Sequence, residues 1–124
     1  MLAAELLITP PNLIFKKPYV YVSNRNDPHP EGDTIAVFST VTPSEPKLTL
    51  LSETRTGLRH LRGMVFFGED ERFLIAGGAN GGGVKVFERI DDGSTLKEVA
   101  SLGVEAAGSG AGDAGFFPTG FLVL

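Results

Sequence analysis

The stretch "GVKVFERIDDGSTLKEVAS" (83–101) repeats the pattern of an earlier stretch, "TIAVFSTVTPSEPKLTLLS" (34–52). In both, a short run rich in β-branched and aromatic residues leads through turn residues into a second such run. Residues of the first kind favour strands, and Pro, Gly, Asp and Ser favour the turns between them. The Val-Phe pair at 37–38 aligns with the Val-Phe pair at 86–87, an offset of 49 residues. We therefore expect two copies of one β-rich unit.

Eight strand-like runs follow one another along the chain, and no window shows the apolar period of an amphipathic helix. They fall into two sets of four, and the second and third runs of one set align with those of the other. The runs are "AELLITP" (4–10), "YVYVSN" (19–24), "TIAVFSTV" (34–41), "KLTLLSET" (47–54), "GMVFFGE" (63–69), "RFLIAGG" (72–78), "GVKVFERI" (83–90) and "TLKEVASLG" (95–103).

Four strands per repeat, with a period in the forties, are typical of a β-propeller blade. The sequence thus predicts an all-β chain of two four-stranded antiparallel blades, at 1–59 and 60–103. A sandwich of two unrelated meanders is the alternative, and the aligned strands favour blades. Residues 104–124 are predicted to form a Gly-rich tail in which "GFLVL" (120–124) is a short closing strand. Because two blades leave open edges, we expect the chain to be a piece of a longer protein, a truncated gene product, or a unit that closes by self-association through those edges.

The composition of the 124 residues excludes several classes of protein. The chain has no cysteine, which excludes disulfide scaffolds, Cys-ligated zinc and thiol nucleophiles. A net charge of −4 argues against a nucleic-acid binder, because phosphate contacts need clustered Lys and Arg. No apolar run approaches the length of a membrane span, and the first residues lack the basic region of a secretory signal. We therefore expect a soluble cytoplasmic protein that binds neither nucleic acid nor membrane.

Strand direction predicts which polar residues share one end of the blades. In an antiparallel blade, the start of the first strand, the second loop and the connection to the next blade lie at the same end. We expect Arg55, Arg59, His60 and Arg62 in that connection. The whole predicted cluster comprises Glu5, Arg25, Asn26, Asp27, His29, Arg55, Arg59, His60, Arg62 and Asn80. Arginine forks bind anionic groups, and a carboxylate or an imidazole can transfer protons. The two histidines have no carboxylate at ligand spacing, so we expect no metal site.

The order of four short motifs resembles a known family. These motifs are "AAE" (3–5), "VSNR" (22–25), "D-x-IAVF" (33–38) and "H-x-R" (60–62). At this spacing, residues 3 to 100 resemble the C-terminal blades of the lactonase-type seven-bladed propellers. That family includes bacterial 6-phosphogluconolactonases and fungal carboxy-cis,cis-muconate cyclases.

The resemblance implies an enzyme, either a lactonase or a muconate cycloisomerase, that acts on a small anionic lactone or sugar acid without a cofactor. It implies Glu5 and His60 as catalytic residues, and Arg25 and Arg62 as ligands of the substrate anion, to which we add Asn26 from the same loop. The chain departs from the family in supplying two blades where the family has seven. It also reads "HLR" at 60–62 where the family commonly has "HPR".

Structural roles compete with these assignments. Arg25 could instead pair with Asp27, or Glu5 and Arg25 could form a structural ion pair, and His29 is expected at the surface. "GGANGGG" (77–83) lies within a hairpin and precedes no helix, so we interpret it as a turn and not as a phosphate-binding loop. The alternative function is that of a non-catalytic β-module that binds a protein partner or assembles with itself.

Overall fold

Eight strands form two antiparallel sheets of four in the part of the chain that the structure describes, which confirms the predicted fold class. The computed structural model describes residues 2–103 and 120–121. The first sheet has the order β1-β2-β3-β4 and the second the order β5-β6-β7-β8. The strands are β1 (Leu2–Ile8), β2 (Tyr19–Arg25), β3 (Thr34–Ser39), β4 (Leu50–Arg55), β5 (Arg59–Phe67), β6 (Phe73–Gly81), β7 (Val84–Ile90) and β8 (Thr95–Leu102). The predicted Gly-rich tail lies almost wholly outside the described residues.

Short 3-10 turns at Glu69–Glu71 and Asp91–Gly93 connect β5 to β6 and β7 to β8. No helix of the described residues is long and apolar enough to cross a membrane.

The core lies between the two sheets. Successive side chains of a strand point to opposite faces. Tyr21 of β2 and Val37 of β3 are paired partners and face the second sheet, where Leu74 and Phe87 meet them; all four are fully buried. Residues 56–58 connect the sheets, and within them Leu58 is also fully buried. One face of each sheet is therefore buried against the other.

The two sheets are stacked so that equivalent strands adjoin. Strands β1 and β2 contact β5, and β4 contacts β8. We call the end at which β1 and β5 begin, and at which β2, β4 and β6 finish, the upper end. This stacking brings the polar residues of both sheets together at the upper end, as blade geometry requires.

At the opposite, lower end, a buried arginine joins the sheets. The Arg89 guanidinium lies 4.0 Å from the ring centre of Phe15 and 5.2 Å from that of Phe66. Its Nε donates to the Tyr21 hydroxyl oxygen at 2.9 Å, and the Tyr21 hydroxyl donates to the Gly93 carbonyl. Burial raises the pKa of Tyr21 although Arg89 acts in the opposite direction, so the phenol keeps its proton as a donor. Residues of both sheets thus share one hydrogen-bonded cluster.

Strand β5 begins at Arg59, four residues before the predicted start at 63, and this corrects the expected position of Arg59, His60 and Arg62. They lie in a strand and not in a loop. The cause is the Gly-rich segment opposite, which pairs with β5 as far as Gly81 and leaves only Gly82 and Gly83 to connect β6 with β7. Side chains would prevent this pairing, because a Cβ on Gly78 would lie 2.0 Å from the Gly81 carbonyl oxygen.

Gly83→Ala is expected to lower the free energy of unfolding by roughly 3 kcal/mol. Gly83 has φ +76°, and a Cβ there would lie 2.0 Å from the Leu102 carbonyl oxygen. Gly57→Ala is the matched control, because its φ is +74° but its Cβ would meet only the Lys85 ammonium, at 2.8 Å. A flexible lysine can move and a paired strand backbone cannot. Urea unfolding of both variants measures the difference, and equal losses would contradict the steric explanation.

Candidate functional site

A polar cavity of about 360 Å³ opens at the upper end and gathers three of the residues singled out from the sequence. Its lining consists of Ala3, Ala4, Glu5, Arg25 and Arg62. One carboxylate and two guanidinium groups therefore surround one space. The remaining two predicted residues, Asn26 and His60, lie beside it, since both are hydrogen-bonded to one another and His60 also contacts Arg25.

Irregular strand pairing presents three of these side chains. The register between β1 and β2 shifts between Ala3 and Leu6, where Glu5 N donates to the buried Ser23 hydroxyl at 2.9 Å. The register between β5 and β6 shifts at His60 and again at Arg62. A bulge re-aims the side chain that it carries, and bulges are frequent beside active sites.

Arg25 comes from the end of β2, on the face that points to the second sheet. It follows Tyr21 and Ser23 at spacings of two, and both of those residues are fully buried. A strand that buries every second residue between the sheets therefore delivers the guanidinium to the mouth of the same interface. This position explains why β2 ends in an arginine.

Hydrogen bonds connect three side chains in a row, in the order Arg25, His60 and Asn26. Arg25 Nη1 lies 3.3 Å from His60 Nε2, and His60 Nδ1 lies 2.9 Å from Asn26 Oδ1. Because a guanidinium can only donate, Nε2 of the neutral imidazole accepts from Arg25 and Nδ1 carries the proton that is donated to Asn26. The row thus requires one defined tautomer of His60.

Both members of the Asn26–His60 pair adopt left-handed backbone conformations. Asn26 has φ 61° and His60 has φ 57°. A non-glycine residue in this region costs of order 1 kcal/mol, and such residues cluster at functional sites. The other four non-glycine residues with positive φ in the described chain lie in the turns at 70–71 and 91–92, so two of the six such positions lie beside the cavity.

One buried donor of Arg25 is unpaired. Its Nε is buried and has no hydrogen-bond partner among the described residues. Buried donors in native structures are almost always paired, so this atom is an exception within an arginine that lines the cavity.

The expected ion pairs of Arg25 are wrong. Within residues 2–103, the two ion pairs are Arg55–Asp27 at 2.6 Å and Lys85–Glu98 at 2.9 Å. Asp27 therefore forms its ion pair with Arg55, the last residue of β4, and Glu5 forms no ion pair with Arg25. The Arg25 guanidinium and the Glu5 carboxylate both remain available to the cavity.

The loop between β2 and β3 is held in place by hydrogen bonds that the sequence did not predict. Arg59 donates to the carbonyl oxygens of His29 at 2.8 Å and Pro30 at 2.7 Å, so this arginine closes the loop and does not line the cavity. His29 is exposed, as expected, and accepts from Glu31 N. The aspartates at each end of "DPHPEGD" (27–33) are the sequence signal for this loop closure.

Asp27→Asn is expected to lower the urea midpoint at neutral pH but not in acid. The His29 N–H and the Arg55 guanidinium hold the pKa of Asp27 below its ordinary value of 3.8. A lowered folded-state pKa contributes stability that is present above the unfolded value and is lost as the pH falls through the folded value. The difference from the unsubstituted protein should therefore shrink below pH 3.8. Glu53→Gln, at an exposed carboxylate of β4, is the control, and a difference for Asp27→Asn that persists unchanged in acid would contradict the assignment.

A second cavity, of about 490 Å³, lies at the lower end and is lined by Leu13, Ile14, Lys16, Lys17 and Asp92. Its lysines and Asp92 are exposed, and it holds neither an arginine nor a histidine. Of these two cavities, the upper one combines arginine side chains with a neighbouring imidazole. In the residues described, no three His, Asp or Glu side chains are grouped to hold a metal ion.

Comparison with known proteins adds one match. The family model described as "Lactonase, 7-bladed beta-propeller" matches residues 3–109. A search of the curated proteins finds no match. The matched range includes both sheets and every residue of the cavity.

Proposed function

The chain belongs to the lactonase, 7-bladed beta-propeller family, and on this premise we propose that its upper cavity binds a small anionic lactone, or the corresponding open-chain acid, and opens or closes the ring ester. The observation that carries the proposal is the polar cavity that Arg25, Arg62 and Glu5 line together.

The two arginines are suited to the anionic group of such a substrate. A guanidinium binds carboxylate or phosphate through two parallel hydrogen bonds, and such charge-assisted bonds are about twice as strong as neutral ones. Arg25 is held by His60 from one side and keeps Nε free. Arg62 is exposed and reaches the same cavity from the neighbouring sheet. Together they would orient the substrate between the sheets.

Ring opening or closure also requires one proton carrier. In hydrolysis, water adds a hydroxyl group to the acyl carbon, and its remaining proton passes to the ring oxygen as the ester bond breaks. In cyclisation of an unsaturated acid, a carboxylate oxygen adds to the double bond and the neighbouring carbon takes a proton. Glu5 is the better carrier, because both ring nitrogens of His60 are occupied by Arg25 and Asn26. His60 then acts by holding Arg25.

A pair of substrates that differ in one charged group tests this proposal. The full chain is incubated with 6-phosphogluconolactone and, separately, with gluconolactone, and loss of the lactone above the uncatalysed rate is followed. A carboxylated cis,cis-muconate, the open-chain acid, tests the cyclase direction. We expect turnover of an anionic substrate and little of the neutral lactone. Equal turnover of both lactones would contradict a role for the arginines, and no turnover of any substrate would reject the activity.

A second function, that of a non-catalytic module that binds a protein partner, is favoured by the apolar side chains on the strand edges. Leu6 and Ile8 of β1 and Leu50 of β4 are each more than half exposed. Exposed strand edges can pair with another chain. Light scattering on a sizing column separates the two functions. A mass of about three or four chains would fit a ring of about six or eight blades. A monomer without lactone turnover would favour the module.

A further inference from the structure

One buried carboxylate lies behind the candidate site and is not part of its cavity. Asp33 directly precedes β3 and is fully buried. Its Oδ1 accepts the backbone N–H of Asp27, and its Oδ2 accepts the backbone N–H of Leu61, each at 2.9 Å. The first donor belongs to the loop after β2 and the second to β5. Asp33 therefore links the two sheets at the upper end.

The two N–H groups that Asp33 holds follow immediately after the two strained residues. Asp27 follows Asn26, and Leu61 follows His60. The orientation of each N–H is set by the backbone angles of the residue before it, and these are the residues at φ 61° and φ 57°. A single carboxylate thus fixes the peptide group on the C-terminal side of both Asn26 and His60. Their side chains meet at 2.9 Å as a result.

The chemistry of the position requires a carboxylate. Asp33 belongs to neither of the two ion pairs in residues 2–103, so its burial is compensated by hydrogen bonds and not by a cation. A carboxylate offers an acceptor at each oxygen, whereas an amide offers one acceptor and one donor group. Asparagine could therefore hold only one of the two N–H groups, although it has the same shape.

We infer that Asp33 is a positioning residue that sets the tautomer and the place of the His60 imidazole, and through it the Arg25 guanidinium. This inference concerns the geometry of the chain and stands without the proposed reaction; only its consequence for turnover rests on the proposed function. Asp33 does not touch the cavity, so it acts through the Asn26–His60–Arg25 row.

Asp33→Asn tests the inference, with Thr56→Val as the matched control. Thr56 is 1% exposed, and its hydroxyl donates to the Asp33 carbonyl at 2.8 Å and accepts from Leu58 N at 3.0 Å. The control therefore removes two buried hydrogen bonds at the same junction without touching the Asp33 carboxylate. The chain has two histidines, so imidazole ¹⁵N spectra of the full chain contain one signal pair for His60 and one for the exposed His29 as reference.

We expect the unsubstituted chain to show His60 with its proton on Nδ1. Asp33→Asn should shift the His60 ¹⁵N signals toward those of an exposed histidine and should leave His29 unchanged. Thr56→Val should leave both histidines unchanged. Unshifted His60 signals in Asp33→Asn, or equal shifts in Thr56→Val, would overturn the inference. If Asp33→Asn does not fold, hydrogen exchange of the unsubstituted chain decides, because fast exchange of either the Asp27 or the Leu61 amide would also overturn it.

Turnover separates this inference from the proposed function. If the chain turns over an anionic lactone, Asp33→Asn should lower kcat about 10²-fold, since small misplacements of a positioned group have effects of this size. Thr56→Val should retain kcat. If the unsubstituted chain turns over none of the lactones, the proposed function fails, while the ¹⁵N spectra still decide the role of Asp33.

Discussion

Arg25→Ala is expected to lower kcat/KM for an anionic lactone by about 10²–10³-fold, the range found when a single positioned donor is removed from a catalytic site. Arg25 lines the cavity, and it is held in place by His60. Removing it takes away both the fork that would bind the substrate anion and the partner that orients the imidazole. Steady-state kinetics with the anionic and the neutral lactone measure the loss.

Arg72→Ala is the control for this prediction, because Arg72 is an exposed arginine next to the lower end of the molecule. It should leave kcat/KM unchanged. Arg25→Lys should fall between the two, since it keeps the charge but loses the planar fork. Unchanged turnover in Arg25→Ala would remove Arg25 from the site, and an equal loss in Arg72→Ala would assign the effect to net charge.

Arg89→Ala is expected to lower the free energy of unfolding by about 4 kcal/mol, which is a large part of the stability of a small domain. Arg89 is 3% exposed, and its guanidinium lies against the rings of Phe15 and Phe66. Truncation would remove these cation–π contacts, each worth about 2 kcal/mol when desolvated. It would also leave the Glu71 carbonyl, which now accepts from Arg89 at 3.1 Å, without this partner.

Urea unfolding measures this loss, and Arg72→Ala again supplies the control, with an expected change within about 0.5 kcal/mol. Arg89→Met keeps an apolar side chain between the rings but lacks the guanidinium, and it should lose about half as much as Arg89→Ala. If Arg89→Met is as stable as the unsubstituted chain, apolar packing and not the guanidinium holds the two sheets together at the lower end.

The architecture was predictable because its determinants are local. Alternating apolar residues and the turn residues between them indicate strands, and each of the eight predicted runs overlaps a strand of the structure. Strand direction also placed Glu5 and Arg25 at the end where His60 and Arg62 lie, because successive antiparallel strands reverse direction whatever their packing. Their proximity is now a structural fact, whereas their roles in binding and catalysis stay predictions.

The partners of the charged groups were not predictable in the same way. Asp27 binds Arg55, which is 28 residues away, and Arg25 contacts His60, which is 35 residues away. Which arginine reaches which carboxylate depends on the distance between two stacked sheets and on the bulges of their strands. The sequence places several arginines near Asp27, and it contains no local signal that distinguishes among them.

Strand order and the end of the blades that carries the polar cluster thus follow from residue patterns a few positions long. The early start of β5, the free Nε of Arg25 and the double role of the Asp33 carboxylate follow from contacts between the two sheets. The physical reason is the difference in range. Side-chain alternation and turn preferences act within one strand or turn, whereas burial and hydrogen-bond pairing at the upper end exist only once both sheets have packed.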